Sequence, residues 1–203
     1  MTDVIYGLGA NKMPEESIEG VLFLPTKSMG SPAMEKAYLG NKPERAIGVG
    51  FCGGMQENME KGDLVVVTES VDGGTFAEYT TMDLNDWLDR REEFSFKADE
   101  DLTNQLKQTL DDKKIRYHEG KIFSVSGLAV ETPEFIKEIS RRGYTGVEME
   151  TATLFACASH ENKKAASLQV VSDMFGEPFD LDIPKIYWRK TLELALKSLK
   201  IQI

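Results

Sequence analysis

Short apolar runs bounded by turn residues alternate with helical patterns along this chain, and no linker separates them. That alternation restricts the fold most, because it is the pattern of one α/β layer structure rather than of a bundle, a sandwich or tandem domains. Strand-like runs occupy residues 20–26 (GVLFLPT), 45–50 (RAIGVG), 63–69 (DLVVVTE), 121–125 (KIFSV) and 165–172 (AASLQVVS). Between them, helices are expected over residues 32–39, 102–110, 133–142 and 151–160. A C-terminal helix follows, with Trp188, Leu192, Ala195, Leu196 and Leu199 on one stripe. Residues 72–96 have weak periodicity and read as a long connection, or a short helix near Leu84–Leu88, serving as a lid or a subunit contact. At 203 residues the chain is long enough to bury a full core, and one domain spanning 1–203 is expected.

Charge removes several functions. Twenty-four basic side chains face 34 acidic ones, for a net charge of −10 and a pI of about 4.8. Nucleic-acid binding depends on many Lys and Arg contacts to phosphate, so no nucleic-acid partner is expected. The apolar runs are far shorter than a bilayer span, so neither is a membrane. The N-terminal residues lack the basic, apolar and small-residue pattern of a secretory signal, which points to the cytoplasm and to reduced thiols at Cys52 and Cys157. An acidic enzyme with an anionic substrate has to gather its cations locally, so the positions of the arginines are diagnostic.

Three segments look chemical. Lys27-Ser28-Met29-Gly30-Ser31-Pro32 follows a strand and opens a helix, so free N–H groups there can face a ligand; an ordinary strand-to-helix turn explains it equally well. Gly48-Val49-Gly50-Phe51-Cys52-Gly53-Gly54 follows RAI and lets the backbone approach another strand or a small molecule. It contains a GxGxxG string without the expected context and has no GK[ST], so neither dinucleotide nor P-loop binding follows. Val147-Glu148-Met149-Glu150-Thr151 precedes an apolar helix, and Ser172-Asp173 ends an apolar strand. Each acidic segment alone reads as helix-end chemistry. A carboxylate at the end of a buried strand, facing the ligand edge of an α/β sheet, needs more than that. Cys52 is expected to be a small buried hydrophobe, His118 structural and His160 superficial. No metal-ligand spacing is present, and Asp180-Leu181-Asp182 reads as a solvated turn.

In order, KSMGSPA, VGFCGG, KGDLVVVTES, HEGKIFSV, GVEMETATLFACA and LQVVSDMFGEPF resemble the nucleoside phosphorylase and nucleosidase superfamily, in its bacterial purine nucleoside and uridine phosphorylase branch. The resemblance covers residues 18–180 and implies a three-layer α/β/α fold with a mixed, partly closed central sheet. It also implies cleavage of the N-glycosidic bond of a nucleoside. By the same resemblance, Glu150 holds ribose hydroxyls, Met149 packs on the sugar, Glu148 lines the site and Met29 supports the other side of the ribose. Asp173, with Ser172, matches the acid that protonates or hydrogen-bonds N7 of a leaving purine, and Arg189, or Lys185 second, is its candidate partner. Gly50, Phe51, Cys52 and Gly53 match a substrate-binding strand. Leu128 falls where relatives stack an aromatic on the base, with Phe175 or Phe179 as substitutes. The Ser-Asp pair favours purines over pyrimidines. A homo-oligomer, dimeric or hexameric, is likewise implied, and no cofactor other than inorganic phosphate as co-substrate.

The sequence departs from that family at phosphate. Phosphorolytic relatives use an arginine in an early GDPxR-like loop, one from a neighbouring subunit and one in an RVGSCG-type motif. Here the first arginine is Arg45, and that last motif has Gly48 for Arg and Phe51 for Ser. Bidentate Arg–phosphate pairs are among the strongest polar contacts, so losing the set should abolish ordinary phosphate binding. Three readings stay open: a nucleoside-cleaving enzyme using water or an anion held by Lys12, Lys27 or Lys42; a phosphorylase with a rearranged site; and a non-catalytic nucleoside-binding or assembly protein. Glu15, Glu16 and Glu19 lie near the segment from which nucleosidases activate water.

Overall fold

A computed structural model describes residues 3–9, 16–18, 20–174, 177 and 182–199. Lys12, Glu15, Glu19, Phe175, Phe179, Asp180, Leu181 and the side chains of Glu16 and Lys185 lie outside the described residues.

All five expected strands form. They are β3 (Val21–Pro25), β4 (Arg45–Gly54), β5 (Leu64–Asp72), β7 (Tyr117–Ser124) and β9 (Lys164–Met174). Four more strands join them: β1 (Asp3–Gly7), β2 (Glu16–Ile18), β6 (Ser95–Lys97) and β8 (Gly146–Glu148). The sheet runs β2-β3-β1-β4-β8-β7-β5-β6, and β9 pairs with both β4 and β5. Strands β4, β8, β7, β5 and β9 thereby close into a ring, and β1, β3 and β2 extend from it as an open wing. Pairing is mixed: β1 is parallel to β3 and β4, β4 to β9 and β5 to β7, whereas β4–β8 and β5–β9 are antiparallel.

Strand side chains alternate between two helical layers, which is why the strands read as continuous apolar runs. Ile5, Ile47, Val49, Val66, Leu168 and Val170 pack under α4 (Glu100–Asp112) and α7 (Asp182–Leu199). Val4, Tyr6, Ala46, Val65 and Val171 pack under α1 (Ser31–Asn41) and α6 (Thr151–His160). The result is the three-layer α/β/α fold.

Residues 72–96 carry two helices, α2 (Phe76–Thr81) and α3 (Leu84–Glu92). Trp87 and Leu88 of α3 are buried with Phe123, Phe135 and Tyr144, in a cluster shared with α5 (Pro133–Arg141). Trp87 meets the Phe123 and Phe135 rings at 5.6 and 6.0 Å. This packing makes α3 part of the core and not the lid that was one expectation for the segment. Helix α2 has no buried residue and rests on a capping box between Thr75 and Glu78.

Candidate active site

The parallel strands β3, β1, β4 and β9 end at one edge of the sheet, the edge where α/β folds hold ligands. Four segments meet there. Gly53 pairs with Val147 of β8 on one side and with Asp173 of β9 on the other, and Ser124 of β7 pairs with Glu148. The register of β4 against β9 shifts at Cys52/Gly53, leaving Ser172 as the extra residue. Such a bulge re-aims side chains. Here the Ser172 hydroxyl lies 3.2 Å from the Cys52 carbonyl and donates to Asp173 Oδ1 at 2.7 Å. A Cβ at Gly53 would stand 3.2 Å from Val147 Cγ1 and in ordinary contact, at 3.4 Å, with Asp173 Oδ2.

Glu148 and Glu150 have opposite environments. Glu148 Oε2 accepts the N–H of Glu150 at 2.8 Å, the N–H of Thr151 at 2.9 Å and the Thr151 hydroxyl at 3.0 Å. The Ser124 hydroxyl donates to Oε1. These partners fasten the first turn of α6, whose orphan N–H groups favour a negative charge. Glu148 therefore holds the start of the helix, one step behind the position that the resemblance implied for it. Glu150 takes fewer donors. Gly30 N–H donates to its Oε1, and the Met149 backbone helps hold the carboxylate. Burial, and then the Glu148 charge, push the Glu150 carboxyl up to about 8.

Three charged residues missed in the sequence stand near Asp173. Burial raises the Asp173 carboxyl from its ordinary value, Ser172 and Lys61 draw it down, and Glu177 raises it. Lys61 also pairs with Glu177 at 2.7 Å. Glu131 closes the 3₁₀ turn Leu128–Val130 and is pushed up to about 7 by burial and then by the Asp173 charge. It was hidden in sequence because an acidic residue just before a Thr-Pro helix start reads as ordinary N-terminal charge.

Other predicted residues fall as follows. Met29 is 57% exposed and Leu128 70% exposed. Met149 packs at the edge of the α3/α5 cluster, near Gly30. Cys52 is buried, and its thiol is pushed far above the ordinary range by burial and by the Glu148 and Asp173 charges, as suits a core residue. His118 bonds Asp63 at 2.8 Å between strands.

Three expectations need correction. Arg189 does not meet Asp173: its side chain is 91% exposed and lies 3.5 Å from Glu193, one turn on. Its helix turns Trp188, Leu192, Ala195 and Leu199 toward the sheet, which leaves Arg189 outside. Phe51 points to the α7 face, where its ring stacks on Trp188 at 5.9 Å. Gly50 serves strand packing, since a Cβ there would lie 2.8 Å from Gln169 Oε1 and 2.9 Å from Leu8 Cβ. Gly50→Ala should therefore cost roughly 1–3 kcal/mol as an overpacked core site, read as a lower urea midpoint.

A model of the phosphorylase superfamily matches residues 20–194. The chain belongs to that superfamily. A DeoD-type purine nucleoside phosphorylase of Roseobacter denitrificans is 27% identical over 177 residues, covering 86% of this chain and 71% of the relative. One from Actinobacillus succinogenes is 26% identical over 157 residues, covering 76% and 63%. A guanosine phosphorylase of Halorubrum lacusprofundi is 28% identical over 129 residues, covering 63% and 49%. The chain thus spans 49% to 71% of the length of these relatives.

Several of the described cations are paired within the chain. Arg45 pairs with Asp3 and donates to the Leu199 carbonyl, at the start of β4 and about 26 Å along the strand from Gly53 at ~3.3 Å per residue. Arg91 pairs with Asp72 and Glu78, Arg116 donates to the Asn58 carbonyl, and Arg141 and Arg142 pair with Glu138. Lys42 pairs with Glu161 at 3.0 Å, past the end of α1. Where β1 and β4 end on the α7 face, Trp188 packs between Phe23 and Phe51. A Cβ at Gly7 would lie 2.8 Å from the Trp188 ring.

Proposed function

We propose that this chain cleaves the N-glycosidic bond of a purine nucleoside. The observation that carries the reading is the convergence of Glu150 and of the Ser172–Asp173 pair on one sheet edge, in a chain whose relatives are named purine nucleoside and guanosine phosphorylases. Glu150 accepts ribose hydroxyls. As the C1′–N9 bond breaks, its electron pair leaves with the base, positive charge builds on the ribose ring, and Asp173 delivers a proton to N7. An oxygen nucleophile then bonds C1′. Phosphate gives ribose 1-phosphate and water gives ribose. The stacking of Phe51 on Trp188, and arginines paired at other places, favour water. No further cofactor enters this chemistry. A cytoplasmic homo-oligomer belongs to the same proposal, with the exposed Met29 and Leu128 at the open side of the site.

The test is incubation of purified protein with inosine, adenosine, guanosine, methylthioadenosine and uridine, with and without phosphate, following free base and sugar by chromatography. Purine release at the same rate in both buffers, with ribose as the product, is the expected result. Phosphate-dependent release overturns the hydrolytic step. Absence of release from every nucleoside, combined with calorimetric binding, overturns catalysis in favour of a nucleoside-binding protein.

A further inference from the structure

The turn that leads into α1 carries backbone strain that its own hydrogen bonds do not explain. Lys27 has φ 62°, and Gly30, the N-cap of α1, has φ 89° and ψ 167°, a conformation open in practice to glycine alone. A Cβ at Gly30 would meet nothing closer than 3.9 Å, so crowding is not what excludes a side chain. The turn is tied down at its start by Thr26, whose hydroxyl donates to the Ser28 carbonyl at 2.7 Å and accepts Gly9 N–H at 3.0 Å. The strained conformation has one long-range product, an N–H aimed across 120 residues of sequence at the buried Glu150 carboxylate.

We propose that Gly30 is a positioning residue, whose backbone N–H fixes the Glu150 carboxylate so that its remaining lone pairs meet the sugar hydroxyls. The proposal rests on the ribose role given to Glu150 above. A carboxylate offers about four acceptor sites, and an N–H held on Oε1 removes one of them and orients the plane of the rest. Such support has to be rigid, because small misplacements of a binding group are costly. Glycine is required for its conformation, which explains a glycine at a helix N-cap that has no side-chain cap.

Two measurements test this. In ¹⁵N-labelled wild-type protein, the Gly30 amide signal should move with pH along a single titration, and that movement should vanish in Glu150→Gln. A Gly30 signal that ignores pH, or behaves alike in both proteins, overturns the proposal. Second, Gly30→Ala should lower kcat/KM for inosine by about 10- to 100-fold while leaving that for 2′,3′-dideoxyinosine within about twofold, since only the former offers hydroxyls to a misaligned carboxylate. Equal losses on both substrates mark a general structural lesion and overturn it. Failure of the wild-type protein on every nucleoside sinks the ribose reading instead, and the amide titration then decides the Gly30–Glu150 link by itself.

Discussion

Asp173→Asn lowers the rate of base release from purine nucleosides by about 10²–10⁴-fold, the usual worth of a positioned general acid. Asparagine has nearly the same shape and its Oδ1 still accepts from Ser172, so the bulge between Cys52 and Gly53 keeps its lock. What is lost is the transferable proton. Burial already inclines Asp173 to hold one, and the neighbouring Glu131, pushed up to about 7, keeps a second proton close at neutral pH. The loss should therefore fall on kcat, with KM changed little, because the proton moves only as the glycosidic bond breaks. In the wild-type protein kcat should decline as pH rises and Asp173, held above its ordinary value by burial, gives up its proton. Steady-state kinetics of both proteins from pH 5 to 9 checks this. An unchanged kcat in the variant would remove Asp173 from the chemistry.

Much of the architecture was legible because the ring strands are buried on both faces and announce themselves as apolar runs. Two of the missed strands lack that signal: β6 and β8 have three residues each, too few to show a period, and β6 is Ser-Phe-Lys at the sheet edge. Helix α2 did carry a signal in Thr75-Phe76-Ala77-Glu78, the pattern of a capping box, but with no apolar face to follow it. At the sheet edge, VEME and Ser-Asp marked segments that the fold brings together, and left the surroundings of each carboxylate open. Only the fold reveals that Glu148 accepts from the first turn of α6 while Glu150 accepts Gly30 N–H from across the sheet edge. Arg189 was different, because the stripe of Trp188, Leu192, Ala195 and Leu199 already placed residue 189 about 100° from the core-facing line, one turn from Glu193. Glu131 had no sequence mark, since its importance arises from its nearness to Asp173 across the sheet edge.

The unfolding free energy should fall as pH rises from 5 to 9, by on the order of 4 kcal/mol from Glu150 alone. A carboxyl raised in the folded state favours folding while protonated. Its contribution is complete below the unfolded value near 4.3 and disappears as pH climbs through about 8, where the folded protein must ionise a buried group beside charged Glu148. Glu148 is raised as well, by burial opposed by its hydrogen bonds, and Glu131 to about 7, so all three slopes have the same sign. Glu138, held low by Arg141 and Arg142, is ionised throughout this window and leaves the slope alone. Glu150→Gln removes one of these titrations while Gln Oε1 still accepts Gly30 N–H. The variant should therefore have a flatter profile and exceed the wild-type protein in stability at pH 9, as measured by urea unfolding across the range. Parallel profiles would show that Glu150 does not carry the raised proton. The contrast with Asp173→Asn is physical: one substitution removes the proton proposed to move to the base, and the other relieves a buried charge that the folded protein has to carry at high pH.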